Sequence, residues 1–304
     1  MFTWDLNPVL LHAGPLEIRY YGVFFALALG LAYSLGRKMV EQKKLSVALF
    51  DELALYLIIG LVAGARFGHI LFYELDYYLA NPTQIIKVWQ GGLSSHGATI
   101  GVILAYALFL WKNRLGRKKI HGHKEPAVKF FDFADIIVIV TCIPASLVRI
   151  GNFFNSELVG RVTNVEWGTI FARVDELPRH PSQLYEALMG AVIFVILYLL
   201  WTRKYGWPWE KTVADKRSII GKKTWLANLL THLLTPKLFV GLFFVLYFAG
   251  RFCVEFFKDF PLHEGFFNLT TGQILSLPFL ILGIAMLASF IKYSEIHRRR
   301  GIGQ

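Results

Sequence analysis

Seven apolar stretches, each close to the length of a membrane-spanning helix, constrain the fold of this chain more than any other feature. A bilayer core is crossed by roughly 20 apolar residues in helical form. The stretches cover about 19–36, 52–73, 96–112, 131–149, 184–202, 238–257 and 272–292 of the 304 residues. Because 55% of the residues are hydrophobic, the chain has more apolar surface than one soluble core of this size needs. The sequence therefore predicts an all-α integral membrane protein with about seven transmembrane helices.

Basic residues between these stretches predict the orientation of the chain. About 23 of the 32 Lys and Arg residues follow the first, third, fifth and seventh stretches, and the positive-inside rule places such segments in the cytoplasm. We therefore expect the N-terminus outside, the C-terminus in the cytoplasm and one polytopic membrane domain over 1–304. The extracytoplasmic loops are expected at about 74–95, 151–183 and 256–271, and a cytoplasmic insertion at about 203–237.

The net charge of +11 has two interpretations. The basic residues could bind nucleic acid, or they could set the orientation of the chain in a membrane. The basic residues lie between apolar stretches and do not share one surface, so we expect no nucleic acid partner. The first residues lack the basic start, long apolar run and cleavage site of a secretory signal. The first span is therefore expected to remain in the protein.

Two arginines lie inside apolar stretches, where a charge is expensive. An Arg near the centre of a transmembrane helix costs on the order of 2.5 to 3.5 kcal/mol on insertion scales. Arg66 and Arg251 are therefore candidates for a functional site. The alternative is that each reaches an interface or pairs with an acid, such as Glu255, four residues after Arg251 and on the same helix face. For Arg66 the two readings stay open, and for Arg251 a functional role is favoured.

The predicted topology collects polar side chains in one layer at the outer ends of the helices. The members of this layer, some just beyond the helix ends, are Tyr21, Arg66, Tyr73, His96, Arg149, Asn152, Asn155, Glu157, Arg251 and Glu255. Guanidinium groups bind phosphate with paired donors and keep their charge. Several of them in one partly dry layer predict an anionic ligand, for which a phospholipid headgroup is the natural candidate.

One run of the sequence, RIGNFFNSELVG at 149–160, resembles the signature of the bacterial prolipoprotein diacylglyceryl transferases. The resemblance extends over nearly the whole chain. Its further elements are RYYG at 19–22, GGLSSHG at 91–97, HPSQLYE at 180–186, TTGQILSLP at 270–278, and the set Tyr247, Arg251 and Glu255. The sequence departs from the signature at Val148, where Gly is usual, and at Ser95 and Ala98 beside His96.

This resemblance implies a transferase of the bacterial cytoplasmic (inner) membrane with its active site toward the extracytoplasmic side. The implied reaction moves the diacylglyceryl group of phosphatidylglycerol to the thiol of the lipobox cysteine in a prolipoprotein signal peptide, the first step of lipoprotein maturation. Its partners are the two substrates and membrane lipid. We expect no cofactor and no metal.

The residue roles follow from the resemblance and from chemistry together. Arg149 and Arg251 are expected to hold the phosphate and stabilise the charge that develops as it leaves. His96 is a candidate general base for the thiol, and Glu255 is either that base or a group that fixes Arg251. The predicted phospholipid contacts, besides the two arginines, are Tyr21, Arg66, Tyr73, Asn152, Asn155, Glu157, Gly160 and Tyr247.

Two other protein classes are consistent with charged residues in apolar helices. An anion or lipid transporter could line its path with these arginines. The sequence shows no clear inverted repeat, and its polar residues concentrate on one side of the membrane, which disfavours transport. A metal-dependent lipid enzyme would need paired acidic motifs within a membrane helix, and the two acids at Asp132 and Asp135 are predicted to lie at the inner edge.

Overall fold

The computed structural model describes residues 1–14, 16–87, 91–115, 119–120, 123–124, 128–207, 234–259 and 269–301, and these are mostly helical. The α-helices are α1 Tyr20–Gln42, α2 Val47–Tyr73, α3 Leu75–Ala80, α4 Ser95–Leu115, α5 Phe131–Phe154, α6 Ser182–Tyr205, α7 Pro236–Glu255 and α8 Thr271–Gly301. The strands are β1 Phe2–Trp4, β2 Val9–Ala13, β3 Leu16–Arg19, β4 Lys119–Ile120, β5 His123–Lys124, β6 Thr169–Phe171 and β7 Pro178–Arg179.

Six helices of the described chain are long and apolar enough to cross a membrane. They are α1, α2, α5, α6, α7 and the Thr271–Ser289 part of α8. Their outward faces carry large apolar side chains, of which Ile59, Leu188 and Ile281 are 58%, 65% and 65% exposed. Such surface costs about 25 cal/mol per Å² in water, so lipid must cover it. The prediction of a helical integral membrane protein is confirmed.

The helices extend past several of the predicted stretches. α2 begins at Val47, where Ser46 caps the helix by accepting a hydrogen bond from the Leu49 amide at 3.4 Å. Polar residues continue a helix into water because its backbone hydrogen bonds are satisfied internally. Hydropathy alone therefore locates the lipid-covered part of a helix and not its ends. The third predicted stretch, 96–112, corresponds to α4, which has 21 residues and is not among the six.

The described residues form two compact units, one made of residues 1–43 and 134–304 and the other of residues 44–133. In the first unit α7 packs against both α6 and α8. The predicted insertion at about 203–237 begins within α6 and ends within α7, and its residues 208–233 lie outside the described part of the chain.

A small sheet in the first unit joins distant parts of the chain. β1 runs parallel to β6, with Phe2 opposite Thr169, and β6 runs antiparallel to β7. β2 and β3 form a separate hairpin before α1. The ring of Trp4 packs on the ring of Phe153, with centroids 4.6 Å apart. The sheet therefore fixes the chain start against the end of α5.

At the opposite ends of α1 and α5, polar side chains tie the helices of the first unit together. The Nζ of Lys43 is 2.8 Å from the carboxylate of Asp135, which is fully buried. The Trp201 indole donates to the Gln42 side chain at 2.8 Å, and Gln42 donates to the carbonyl of Gly206 at 2.9 Å. Because buried polar groups need partners, these bonds fix α1, α5 and α6 relative to one another.

The second unit is built on close contact between α2 and α4 through glycines. Gly60, Gly64 and Gly68 of α2 face Gly97 and Gly101 of α4. A Cβ built on Gly101 would lie 2.0 Å from the carbonyl oxygen of Gly60, and one on Gly64 would lie 2.5 Å from that of Gly97. Small residues at such spacing let helix backbones approach closely in membranes. We call these five residues the glycine seam.

Candidate functional site

A buried carboxylate in the second turn of α6 lies among three cationic side chains of the first unit. The Oε2 of Glu186 is 2.5 Å from the Nε of Arg149, and its Oε1 is 2.7 Å from the Nζ of Lys258 and 3.4 Å from the Nη1 of Arg251. Only 5% of the Glu186 side chain is exposed. A carboxylate buried in this way needs several charged or hydrogen-bonding partners to offset its lost hydration.

A second buried carboxylate, that of Glu255 at the end of α7, joins this group through Lys258. The Nζ of Lys258 is 3.2 Å from the Oε2 of Glu255. A Cβ built on Gly272 would lie 2.2 Å from the Oε1 of Glu255, so the first turn of α8 lies against this carboxylate. The N-terminal end of a helix favours a negative charge beside it. We call Arg149, Glu186, Arg251, Glu255 and Lys258 the Glu186 cluster.

The cations of the Glu186 cluster differ in whether a ligand can reach them. The side chains of Arg149 and Arg251 are 20% and 26% exposed, whereas that of Lys258 is 5% exposed. The two guanidinium groups therefore form the accessible surface of the cluster, and Lys258 lies beneath it. Guanidinium groups from two helices are suited to hold a phosphate by charged hydrogen bonds.

A chain of side-chain hydrogen bonds continues from Arg149 into the segment after α5. Arg149 donates to the Asn152 Oδ1 at 3.2 Å, and Asn152 donates to the Glu157 Oε2 at 3.0 Å. Asn155 donates to the other oxygen of Glu157 at 3.1 Å. The Oδ1 of Asn155 is buried and has no hydrogen-bond partner among the described residues.

The same segment adopts a strained turn that the start of α6 holds in place. Ser156 and Leu158 have φ angles of 56° and 53°, which non-glycine residues rarely adopt. The Ser182 hydroxyl donates to the carbonyl of Leu158 at 2.8 Å, and the Gln183 amide donates to the carbonyl of Glu157. Ser182 and Gln183 thus hold the backbone of residues 157–158 in place by hydrogen bonds.

Gly160 permits a close approach between three chain segments. A Cβ there would lie 2.4 Å from the carbonyl oxygen of His180 and 2.6 Å from that of Phe257. Its amide donates to the His180 carbonyl at 2.9 Å, and its backbone forms a bridge with Lys258. Any larger residue would therefore push Lys258 away from the other members of the Glu186 cluster.

His180 lies just before α6, where its surroundings disfavour the protonated form. Burial, and secondarily the positive charge of Arg161, lower the pKa of His180 from its ordinary value near 6.5. Its Nδ1 is 3.1 Å from the hydroxyl of Tyr185, which accepts a hydrogen bond from the Trp167 indole at 2.8 Å. These contacts stabilise the turn into α6, two turns from Glu186, and give His180 a structural role.

Two of the predicted tyrosines border the Glu186 cluster. Tyr21 lies against α5, because a Cβ on Gly151 would be 3.2 Å from the Tyr21 Cα. Tyr21 lies within electrostatic range of Arg149. Tyr247, on α7, lies within range of both Arg149 and Arg251. Both phenols are therefore near the guanidinium groups that a ligand can reach.

Arg66, in the second unit, is buried and binds backbone carbonyls. It donates to the carbonyls of Gln84, Ile85 and Gly91 at 2.5, 2.9 and 2.7 Å. Its guanidinium carbon lies 4.9 Å from the ring centroid of Tyr78. These contacts compensate for burial of the charge and fix the segment after α3 against α2.

A cleft of about 670 Å³ opens beside Arg66 in the second unit. Tyr73 is 64% exposed at this cleft, and its ring stacks on that of His69 with centroids 5.6 Å apart. The Nε2 of His69 is 3.3 Å from the carboxylate of Glu74. The cleft wall is thus aromatic, with an acid at its edge.

His96 is the second residue of α4 and its side chain is exposed. The Ser94 hydroxyl accepts a hydrogen bond from the Gly97 amide at 3.3 Å, which caps the start of the helix. Gly97 belongs to the glycine seam, so the helix carrying His96 is anchored one residue away. His96 itself remains open to a ligand.

The structure brings nine of the twelve predicted site residues into or beside the Glu186 cluster and leaves three in the second unit. The nine are Tyr21, Arg149, Asn152, Asn155, Glu157, Gly160, Tyr247, Arg251 and Glu255. The three are Arg66, Tyr73 and His96.

Sequence reasoning did not assign a site role to Glu186 or Lys258. It favoured a functional role for Arg251 and gave pairing with Glu255 on the same helix face as the alternative. Arg251 contacts Glu186, and Glu255 contacts Lys258. One signal could have identified Glu186, since it is the only acid in the apolar helix α6. A lone buried acid requires a cationic partner as surely as a lone arginine requires an acid.

The fold and the site define a class, a multi-pass membrane protein that presents two guanidinium groups around a buried carboxylate. Comparison with known proteins gives the family. A family model described as prolipoprotein diacylglyceryl transferase matches residues 8–217 and 222–289. The chain therefore belongs to the prolipoprotein diacylglyceryl transferase family. The predicted family and the predicted transferase class are confirmed, and this decides against the transporter alternative.

Curated relatives agree over nearly the full length of the chain. A phosphatidylglycerol–prolipoprotein diacylglyceryl transferase of Tolumonas auensis is 38% identical over 288 residues, covering 94% of this chain and 96% of the relative. One from Chloroherpeton thalassium is 37% identical over 296 residues, covering 97% of this chain and 96% of the relative. The match therefore includes both compact units.

Proposed function

We propose that this chain transfers the diacylglyceryl group of phosphatidylglycerol to the lipobox cysteine of a prolipoprotein, the first step of lipoprotein maturation. The observation that carries the proposal is the pair of accessible guanidinium groups, Arg149 and Arg251, held together by one buried carboxylate. The names of the relatives state both substrates. Membrane lipid surrounds the enzyme and supplies the donor.

Seven spans fit the contacts within the first unit better than six. β1 and β6 pair, so they lie on one side of the membrane and an even number of spans separates them. α1, α2 and α5 supply three, so α4 is the fourth. The contact between Lys43 and Asp135 supports the same count, because with α2 as the single span between them the two residues would lie on opposite sides of the membrane. The exposed apolar side chains of Ile103 and Leu104 on α4 suit a lipid-facing helix.

We further propose that the Glu186 cluster lies on the extracytoplasmic side, which the distribution of basic residues supports. With the Lys- and Arg-rich segments in the cytoplasm, the N-terminus lies outside, the C-terminus inside, and loops at about 74–95, 151–183 and 256–271 face outward. The whole of 1–304 then forms one polytopic domain of the bacterial inner membrane, with a cytoplasmic insertion at about 203–237.

The reaction is a displacement at the terminal carbon of the diacylglyceryl group. The cysteine sulfur forms a bond to that carbon as the bond from the carbon to the phosphate oxygen breaks. The oxygen takes the bonding electron pair and leaves as glycerol phosphate, and a base takes the thiol proton. Arg149 and Arg251 stabilise the negative charge that grows on the phosphate, which is commonly a large term in catalysis.

The remaining members of the site position the headgroup. Asn152 and Glu157 hold Arg149 in place, and the buried Asn155 Oδ1 accepts a hydrogen bond from a headgroup hydroxyl. Tyr21 and Tyr247 contact the phospholipid beside the two arginines.

The other predicted phospholipid contacts act mainly through the backbone or at the lipid surface. Gly160 contributes by keeping Lys258 in the Glu186 cluster. Tyr73 contacts lipid at the cleft of the second unit, and Arg66 orders the segment that borders the cleft.

His96 is proposed as the general base, with Glu255 as the alternative. A free thiol is only a few per cent ionised at neutral pH, so a base accelerates the attack. Exposure at the start of α4 makes His96 accessible to a substrate, whereas Glu255 is buried and bound to Lys258.

A pH profile tests this assignment. An imidazole base is active only when neutral, so acidification should slow transfer by the unaltered protein. In His96→Asn this acidic limb of the pH profile should be lost. An unchanged limb in His96→Asn together with a lost limb in Glu255→Gln would assign the base to Glu255.

The proposed function is tested by direct product detection. The purified full-length protein in detergent is incubated with phosphatidylglycerol and a synthetic lipobox peptide, without added metal. We expect the mass of a diacylglyceryl thioether on the peptide and release of one glycerol phosphate per thioether. A peptide with serine in place of the lipobox cysteine is the control. Absence of thioether from the cysteine peptide under these conditions would refute the proposal.

A further inference from the structure

Two charged members of the Glu186 cluster, Glu186 and Lys258, lie where a ligand does not reach them. Each side chain is only 5% exposed, and their charged atoms are 2.7 Å apart. A phosphate that binds Arg149 and Arg251 meets the guanidinium surface and not these buried groups. Their influence on a bound phosphate is therefore electrostatic, transmitted through the two arginines.

The charge of the cluster is nearly balanced. Three positive charges come from Arg149, Arg251 and Lys258, and two negative charges come from Glu186 and Glu255. The cluster therefore carries a net charge of +1. Neighbouring cations favour the ionised form of a buried carboxylate. Without Glu186 the same site would carry two positive charges.

The proposed reaction changes the charge of the phosphate that this site holds. Phosphatidylglycerol is a phosphodiester with one negative charge. The glycerol phosphate that leaves is a phosphomonoester, which carries close to two negative charges above its second pKa near 6. Additional positive charge therefore favours the product over the substrate, and an enzyme with too much of it would retain its product.

We infer that Glu186 is a positioning residue that sets the charge of the Glu186 cluster to match the monoanionic substrate phosphate and to release the dianionic product. This inference rests on the proposed function. Glu186 holds Arg149 and Arg251 in one place for the phosphate, and its own charge limits how tightly the pair binds a dianion. Lys258 has the opposite charge to Glu186, so its removal weakens the binding of a dianion by the arginine pair.

The test compares product inhibition with substrate use at pH 8. For each purified full-length variant, the inhibition constant KI of added glycerol 1-phosphate and the KM for phosphatidylglycerol are measured in mixed micelles. In Glu186→Gln the ratio of KI to KM should fall about fivefold or more, the factor for one pair of unit charges about 4 Å apart in bulk water. In Lys258→Gln the ratio should rise by a similar factor. In the double variant, which restores the net charge, the ratio should return to that of the unaltered protein.

Controls separate this role from a structural one. Glu186→Asp keeps the charge, so the ratio should stay near its original value even if the rate falls. Glu176→Gln removes an exposed acid from the segment between β6 and β7 and should change neither constant. A merely structural Glu186 would lower the rate and the thermal stability of Glu186→Gln and leave the ratio unchanged. If Glu186→Gln does not fold, Lys258→Gln and the double variant carry the same test.

Two results would overturn the inference. An unchanged ratio of KI to KM in Lys258→Gln, or in Glu186→Gln where that variant folds, excludes charge matching. A rise of the ratio of KI to KM in Glu186→Gln would mean that Glu186 strengthens product binding, which is the opposite of the inference. These outcomes are distinct from failure of the proposed function, in which the unaltered protein itself would form no thioether.

Discussion

Replacing Arg149 or Arg251 by alanine is expected to lower the rate of diacylglyceryl transfer by at least about a hundredfold. Removing one donor to a developing negative charge costs about 10² to 10³ in rate in other enzymes. Each substitution also leaves Glu186 with one cation fewer and so adds an uncompensated buried charge. The measurement is the initial rate of thioether formation on a lipobox peptide at saturating phosphatidylglycerol.

Two further variants show whether a positive charge at position 251 is enough for a normal transfer rate. Arg251→Lys keeps the positive charge and loses the planar pair of donors, so we expect it to recover only a small part of the rate. Arg173→Ala removes an exposed arginine from the loop after α5 and should retain the full rate. A rate for Arg149→Ala or Arg251→Ala near that of Arg173→Ala would contradict the proposed phosphate site.

Placing a side chain in the glycine seam is expected to prevent stable packing of α2 on α4. In Gly101→Val the new Cβ would overlap the carbonyl oxygen of Gly60 at 2.0 Å, and backbone cannot yield as a side chain can. Overpacking costs typically 1 to 3 kcal/mol and sometimes more, so we expect the melting temperature to fall by about 2 to 12 °C. The measurement is thermal unfolding of the detergent-purified protein together with the yield of monodisperse material.

Gly30→Val in α1 is the matched control for this substitution. A Cβ on Gly30 would meet nothing within 4 Å, so the same side chain enters open space on a helix. We expect Gly30→Val to purify and unfold like the unaltered protein. Equal stability of Gly101→Val and Gly30→Val would show that α2 and α4 do not touch through these glycines.

The helices of this protein could be predicted from sequence because one physical requirement dominates them. Backbone groups in lipid must bond internally, so an apolar run near 20 residues has few alternatives to a helix. The same reasoning fails for the sheet. β1 and β6 have three residues each, and their pairing depends on how the four long helices between them fold. No local pattern in either strand encodes its partner.

The site could be predicted as a collection of residues and not as a set of contacts. Arg251 and Glu255 share a helix face by their spacing, but side-chain direction and neighbouring helices decide the partner. Glu186 of α6 contacts Arg251. Lys258, one turn beyond Glu255, contacts the Glu255 carboxylate. For Arg66, the bond partners are carbonyls, which every residue carries and which no sequence motif marks.

The pairing of β1 with β6 also has a consequence for synthesis of the chain. Phe2 is synthesised before four long helices and its partner Thr169 only after them. At about 5 to 20 residues per second, β1 waits on the order of ten seconds or more with unpaired backbone groups and two large aromatic rings, those of Phe2 and Trp4. An unpaired strand edge can add to another chain. The segment that carries β1 is thus open to wrong association while the ribosome is still at work.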